Sequence, residues 1–334
     1  VRPILYERPA TVEAAIQALG HADTFFVAGG TTLFDLMKVD VIRASRLVDV
    51  TRLKEPQLDA ITVEDTTIRL GALARMADVA AHPDIMAVCP LIPQSLNLGA
   101  SQQIRNMARL GGNVLQRTRC AYFRDVSFEQ CNKRSPGSGC AALDGHNRQH
   151  AVLGTSSACI AVYPGDFPQA LAALDARVEI IGRQGRVRSI PFTELHLQPG
   201  TTPQAETVLE RDELITGFVI ARGPWMKRSL YLKIRDRESY AFALASAAVA
   251  LDLDLEGMVR EARIGLGGVA TTPWRARDAE AALKGRRLDE EAAQQAAEAA
   301  FAGAAAHSHN QFKIPLGKQT LVRALLSAAA MEIK

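Results

Sequence analysis

Apolar positions in the first 55 residues switch between strand-like and helix-like spacing. Glu13 to Leu19 carries apolar residues at helical intervals, and Phe25–Gly30 (FFVAGG) is a short apolar run ending in two glycines. Thr32–Lys38 (TLFDLMK) returns to helical spacing, and Ser45–Thr51 (SRLVDVT) reads as a second strand. This is a βαβ-like unit with a glycine turn where strand meets helix. Alternation over Ala60–Leu73 predicts a hairpin, and Met76–Leu96 predicts a helix broken at Pro83, Pro90 and Pro93. Ser156–Ile190 reads as strand, short helix and antiparallel hairpin. The pattern changes near Gly223-Pro224. Tyr231–Leu253 and Val259–Trp274 read as strands around a turn at Glu256-Gly257, and Arg277–Ala306 as an alanine-rich helix. A domain boundary is expected at about residue 224.

A chain of 334 residues, 48% apolar and 22% charged, is long enough for two or three globular domains. The net charge of +3 is too small and dispersed to argue for nucleic acid, and an aromatic content of 5% offers no stacking surface for single strands. No uninterrupted apolar run reaches the roughly 18 residues of a membrane span. The first residues, VRPILYERPATVEAAI, lack the charged-then-apolar design of a signal peptide. No export signal is therefore expected on the chain, which would work in the cytoplasm, or in the periplasm if carried out with a partner subunit.

Cysteine changes the picture. Cys120, Cys131, Cys140 and Cys159 fall within forty residues, separated by ten, eight and eighteen residues, and the rest of the chain holds only Cys89. Buried structural cysteines need no such company. Four soft thiolates together suit a tetrahedral metal or a cubane iron–sulfur cluster. The absence of CxxC pairs weakens a zinc knuckle and favours a cluster in an irregular loop. Zinc and two disulfides stay open on the residues alone. Four cysteines complete a cubane, so His146 and His150 read as loop residues, and Cys89 as a core thiol.

Glycine marks other candidate chemistry. Val27–Leu33 (VAGGTTL) sits between strand and helix, where glycines let successive N–H groups point at one anion and the helix start adds its dipole. The alternative is a tight turn without a ligand. It is not the GxGxxG fingerprint of an NAD site. Leu110-Gly111-Gly112-Asn113 offers a second glycine turn that would close on the other half of a pyrophosphate, or else a helix terminator. Tyr163-Pro164-Gly165-Asp166 is either a β-turn or a turn that presents a carboxylate.

The runs AGGTTL, LGASQQIRNMARLGGNV, ACIAVYPGD and GLGGVATTPWRARDAEAAL stand in the order seen in FAD-binding subunits of molybdenum hydroxylases, the xanthine dehydrogenase and carbon monoxide dehydrogenase relatives. The resemblance covers essentially the whole chain. RTRCAYF, CNKRSPGSGCAAL and RQHAVLG are most similar to the FAD and [4Fe-4S] subunit of bacterial molybdenum aldehyde oxidoreductases. The resemblance implies an α+β fold. A two-subdomain FAD-binding domain spans 1–223 (about 1–55 and 56–223, with an iron–sulfur loop at 119–160), and a smaller C-terminal domain spans 224–334.

By position it implies that Phe26, Val27, Ala28, Gly29, Gly30, Thr31, Thr32 and Leu33 cradle the FAD pyrophosphate. Ala100, Arg109, Gly112 and Asn113 would line the second wall, and Asp166 would bond the cofactor. Ile215 and Lys233 would lie near the isoalloxazine, with Tyr240 approaching the ring or lying as a half-buried strand tyrosine. Arg109 replaces the small hydroxyl residue usual in the family, so only its backbone is expected as a contact. Cys120, Cys131, Cys140 and Cys159 would hold a [4Fe-4S] cluster. No catalytic residue is expected here. Aldehyde plus water would become carboxylic acid at a molybdenum cofactor on a large partner subunit. Electrons would pass through [2Fe-2S] clusters of a small subunit to FAD, then to an external acceptor. The rival readings are the corresponding subunit of a 4-hydroxybenzoyl-CoA reductase, or a zinc-stabilised binding module with no redox role.

Overall fold

A computed structural model describes residues 2–333, the Pro56 side chain excepted. In chain order the elements are β1 (Leu5–Glu7), α1 (Val12–Ala18), β2 (Thr24–Val27), α2 (Leu33–Lys38), β3 (Arg46–Asp49), β4 (Ile61–Val63) and β5 (Thr67–Gly71). Then come α3 (Met76–Ala80), α4 (Pro83–Val88), α5 (Leu91–Asn97), α6 (Gln102–Met107), α7 (Leu110–Val114), α8 (Ala121–Arg124), α9 (Phe167–Ala173), β6 (Arg177–Ile181), β7 (Val187–Pro191) and β8 (Leu214–Ala221). The last are β9 (Ser229–Ile234), β10 (Ala245–Leu253), β11 (Val259–Gly267), β12 (Trp274–Arg275), α10 (Arg277–Leu283), α11 (Glu290–Ala300) and α12 (Lys313–Ala329).

The first unit is a parallel sheet in the order β1-β3-β2, with Phe26 opposite Val48. Thr11 caps α1 by accepting from the Ala14 N–H at 3.2 Å, supplying one of the acceptors that a helix start lacks. The βαβ expectation is met, with β1 added as a third strand. The next unit is an antiparallel sheet, β4-β5-β8-β6-β7, whose inner face packs on α3, α5, α7 and α9. Phe167, Phe192 and Phe218 are fully buried in that core, each worth roughly 1.5–3 kcal/mol of burial. The third unit is an antiparallel sheet, β12-β11-β10-β9, backed by α10, α11 and α12. Here alanines dominate. Ala245, Ala247 and Val249 of β10 meet Ala293, Ala297, Leu321 and Ala324 of the helices in one core, and small side chains let the helices approach the sheet closely.

Four expectations are corrected. Pro93 does not break the helix: it is the third residue of α5, where an N–H would have no helical partner. Ser156–Val162 is not a strand and makes only an isolated bridge between Ser156 and Cys159. The alanine-rich run is two helices, because Gly285 turns with φ +75° between α10 and α11. Gly111 and Gly112 are neither a turn nor a helix terminator but lie inside α7, which starts after extended Arg109.

His196 marks where this core meets the following loop. Its ring packs edge-on against Tyr163 and Phe192, and its Nε2 lies 3.1 Å from the Val114 carbonyl. Burial pushes its pKa down to about 4. The unfolded chain binds this proton from about pH 6.5 downward and the folded chain does not. Stability should therefore fall between pH 6.5 and 4, by up to about 3 kcal/mol from this group. Urea midpoints measured at pH 7 and 4.5 should converge in His196→Gln relative to the native chain. An unchanged difference would refute the assignment.

Candidate functional site: a two-lobed groove beside a cysteine loop

The turn 28–33 and the segment 99–113 face each other across a groove. The turn crowds the end of α6: a Cβ at Gly29 would lie 2.1 Å from the Met107 carbonyl oxygen, so only glycine allows this approach. Gly30 has φ +71°, and its carbonyl accepts from Phe34 N–H as α2 begins. Among the described residues, no carbonyl accepts from the N–H groups of Gly29, Gly30, Thr31 or Thr32. The turn therefore presents unpaired donors, as an anion site requires.

The groove has two lobes that share Thr31 and Thr32. The smaller, of about 280 Å³, is lined by Phe26–Leu33, Arg109, Gly112 and Ile215, among mostly apolar neighbours. The larger, of about 610 Å³, is lined by Ala100, Asn113, Asp166, Lys233 and Tyr240. All fifteen residues expected to bind FAD thus border one lobe or both. Ile215 and Lys233, expected together, lie in different lobes.

Four buried polar atoms of groove-lining residues have no partner: Arg109 Nε, Asn113 Oδ1, Arg119 Nε and His150 Nδ1. Arg109 also donates from Nη1 to the Leu73 carbonyl at 2.8 Å, and burial followed by nearby Arg75 lowers its pKa. Arg109 borders the smaller lobe. A bound anion would relieve both its charge and its idle donor. Gly112 has nothing within 4 Å of where a Cβ would stand, so its missing side chain leaves room. Ala100 sits at φ +50°, a left-handed strain in a residue with a Cβ, at the wall of the larger lobe. These features fit a long dinucleotide with an anionic middle.

Asp166 is held by protein partners at the wall of the larger lobe. Tyr163–Asp166 forms no hydrogen-bonded turn. Asp166 stands at the start of α9 but does not cap it. Its Oδ1 accepts from the Tyr231 hydroxyl at 2.7 Å and its Oδ2 from Lys233 Nζ at 2.8 Å. Lys233 Nζ also donates to the Leu98 carbonyl at 2.9 Å, and Tyr231 OH is 2.9 Å from Ser246 Oγ. Burial raises the Asp166 pKa, while Lys233 and Tyr231 counter it. The pair is a buried brace joining the second and third units under the larger lobe. Tyr240 is in a loop with φ +50°, well exposed at the rim, and is not a strand residue.

The cysteine loop adjoins this lobe. Cys120, Cys131, Cys140 and Cys159 line one small cavity of about 10 Å³, and all are free. Cys120 also lines the larger lobe of the groove. Among the described residues, no three His, Cys, Asp or Glu side chains stand close enough together to bind one metal ion. The Cys140 and Cys159 thiols are in contact, which lowers the pKa of Cys140 and raises that of Cys159.

The loop has little regular structure and is held by side chains bonding to backbone. Arg134 donates to the carbonyls of Tyr122, Phe123, Asp125 and Phe128, and Asn132 donates to Ala158 O and accepts from Gly139 N–H. Lys133 and Arg117 both pair with Glu206, at 2.6 and 2.8 Å. Burial pushes Glu206 up, and the two cations overcome it to hold the carboxyl below its usual range. Leu36 of α2 packs against Phe123 and Cys131, and Asp35 accepts from Arg119 at 2.6 Å and Arg124 at 2.8 Å. One helix thus supports both the groove and the loop. His150, expected as a bystander, lies with Nε2 3.1 Å from Cys120 Sγ. Cys89 is a core thiol near Ser229, pushed up to about 11 by burial.

Two family models account for nearly all of this architecture. The FAD binding domain in molybdopterin dehydrogenase matches residues 2–222, and the CO dehydrogenase flavoprotein C-terminal domain matches residues 230–328. The chain is 44% identical over 332 residues to the aldehyde oxidoreductase FAD-binding subunit PaoB of Escherichia coli (strain K12), covering 99% of each chain. It is 25% identical to the nicotine 6-hydroxylase medium subunit of Paenarthrobacter nicotinovorans, over 98% of each. Among solved structures, a chain of the carbon monoxide dehydrogenase from Hydrogenophaga pseudoflava superposes with a TM-score of 0.76 at 25% identity, covering 98% of both. No helix among the described residues is long and apolar enough to cross a membrane. The chain belongs to the FAD-binding flavoprotein subunits of the molybdenum hydroxylase family, components of oxidoreductase complexes.

Proposed function

We propose that this is the FAD and [4Fe-4S] subunit of a molybdenum aldehyde oxidoreductase. The observation that carries the reading is that all four clustered cysteines line one cavity whose wall, at Cys120, is also a wall of the groove. Four free thiols are the donor set a cubane takes. The cavity is small, about 10 Å³, so its lining side chains would have to rotate apart around a cluster. The aldehyde assignment is supported by the full-length similarity to an aldehyde oxidoreductase subunit.

FAD bound in the groove supplies a carrier that receives electrons and releases them singly or in pairs. The turn 28–33 and Arg109 would hold the pyrophosphate, the apolar smaller lobe the adenine, and the larger lobe the isoalloxazine. The idle amide oxygen of Asn113 would accept a hydrogen bond there. Aldehyde oxidation would belong to a large partner with the molybdenum cofactor. Electrons would enter through a small [2Fe-2S] partner and leave to an external acceptor.

Anaerobically purified protein should contain one FAD and about four irons per chain. Each of Cys120→Ser, Cys131→Ser, Cys140→Ser and Cys159→Ser should lower the iron content, and Cys89→Ser should not. Stoichiometric zinc without iron would contradict the reading.

A further inference from the structure

His150 is thirty residues from Cys120 in sequence, yet its Nε2 stands 3.1 Å from that sulfur. The contact is built, not incidental. The His150 backbone is fixed from behind, where its carbonyl accepts from Lys313 Nζ at 3.1 Å and its N–H bonds to the Asn147 carbonyl at 2.9 Å. Lys313 is itself fully buried and also donates to Gly268 O at 2.6 Å, tying this segment to the C-terminal sheet. Asn147 is buried and bonds the Ala142 carbonyl and the His309 N–H. The imidazole is buried, and its other nitrogen, Nδ1, has no partner. Its sole side-chain hydrogen bond among the described residues is therefore to Cys120. Both residues also border the larger lobe of the groove.

Cys120 is the one cysteine that lines both cavities, and so the one that borders the expected isoalloxazine lobe. We propose that His150 is a positioning residue for the cluster, its Nε2–H donating to the Cys120 sulfur at the wall shared by cluster and flavin. The inference rests on the [4Fe-4S] reading and assigns a role to a residue outside the four-thiolate set. A donor to a ligating sulfur stabilises the more negative, reduced cluster above the oxidised one, and so raises its potential. It also fixes the side chain through which cluster and flavin face each other.

The test uses the full chain, purified anaerobically in the assembly in which it occurs. Iron content is measured and the four-iron cluster is titrated by electron paramagnetic resonance in native, His150→Ala and His150→Gln proteins. His150→Ala should keep about four irons while its reduced-to-oxidised ratio at fixed potential falls about tenfold, which is 59 mV for a one-electron couple. His150→Gln, which retains a donor, should recover part of the shift. Native iron with an unchanged potential in His150→Ala would overturn the role of His150 and leave the cluster standing. Loss of iron from His150→Gln would overturn it too, since His150 would then be acting as a ligand. Native protein without iron would instead overturn the cluster reading itself.

Discussion

Gly112→Leu is expected to fold and to lose FAD. Gly112 lies in α7, and nothing stands within 4 Å of the Cβ position. A leucine there removes a helical glycine, a change worth up to about 1 kcal/mol in favour of the helix. The same side chain projects into space bordering the smaller lobe. Overpacking of roughly 3 kcal/mol against the cofactor corresponds to a loss of about a hundredfold in affinity. The comparison is Gly30→Val, where φ is +71° and the new Cβ would stand 2.4 Å from the Phe34 ring. That variant should lose flavin and stability together. Flavin content with urea unfolding of both variants separates a filled site from a broken turn. Stoichiometric FAD in either protein would show that the turn and α7 do not form the cradle.

Lys233→Met is expected to cost about 3–5 kcal/mol, because it strands the buried Asp166 carboxylate. Both side chains are almost wholly buried, at 1% and 7% exposure. With Lys233 gone, the Tyr231 hydroxyl at 2.7 Å and the charge of Arg235 remain to counter the burial of Asp166. Asp166→Asn in the native background should strand the lysine in the same way. The double variant removes both charges and should be closer to native than either single, as a coupled pair requires. Urea midpoints of the four proteins check this. Additive losses would mean that the two residues do not act as a pair.

The βαβ unit was readable because each apolar run there matches one local period, as in Thr24–Val27 and Arg46–Asp49. The central strand β8 was not marked, although Leu214–Ala221 is apolar, because it is defined by pairing with β5 and β6, far away in sequence. Helix α12 was likewise unmarked: Pro315 and Gly317 in its first turns are residues that usually end helices, and only packing on β10 decides the matter.

The groove residues were located through the motif resemblance, and the fold distributes them over two lobes. What no local pattern could supply were the partners. Asp166 looks free in its turn but is tied to Lys233, 67 positions on. His150 looks like a loop histidine until Lys313 and Asn147 hold its backbone in place. Charge pairing across domains leaves no period in the sequence.

The central claim is that this chain carries electrons and leaves substrate oxidation to a partner. The most direct measurement is anaerobic flavin absorbance after aldehyde is added to the isolated FAD-loaded chain, and again after the molybdenum and [2Fe-2S] subunits are supplied. The account predicts no bleaching of the isolated chain and rapid bleaching once both partners are present. Rapid bleaching of the isolated chain would contradict it, because the substrate site would then lie on this chain.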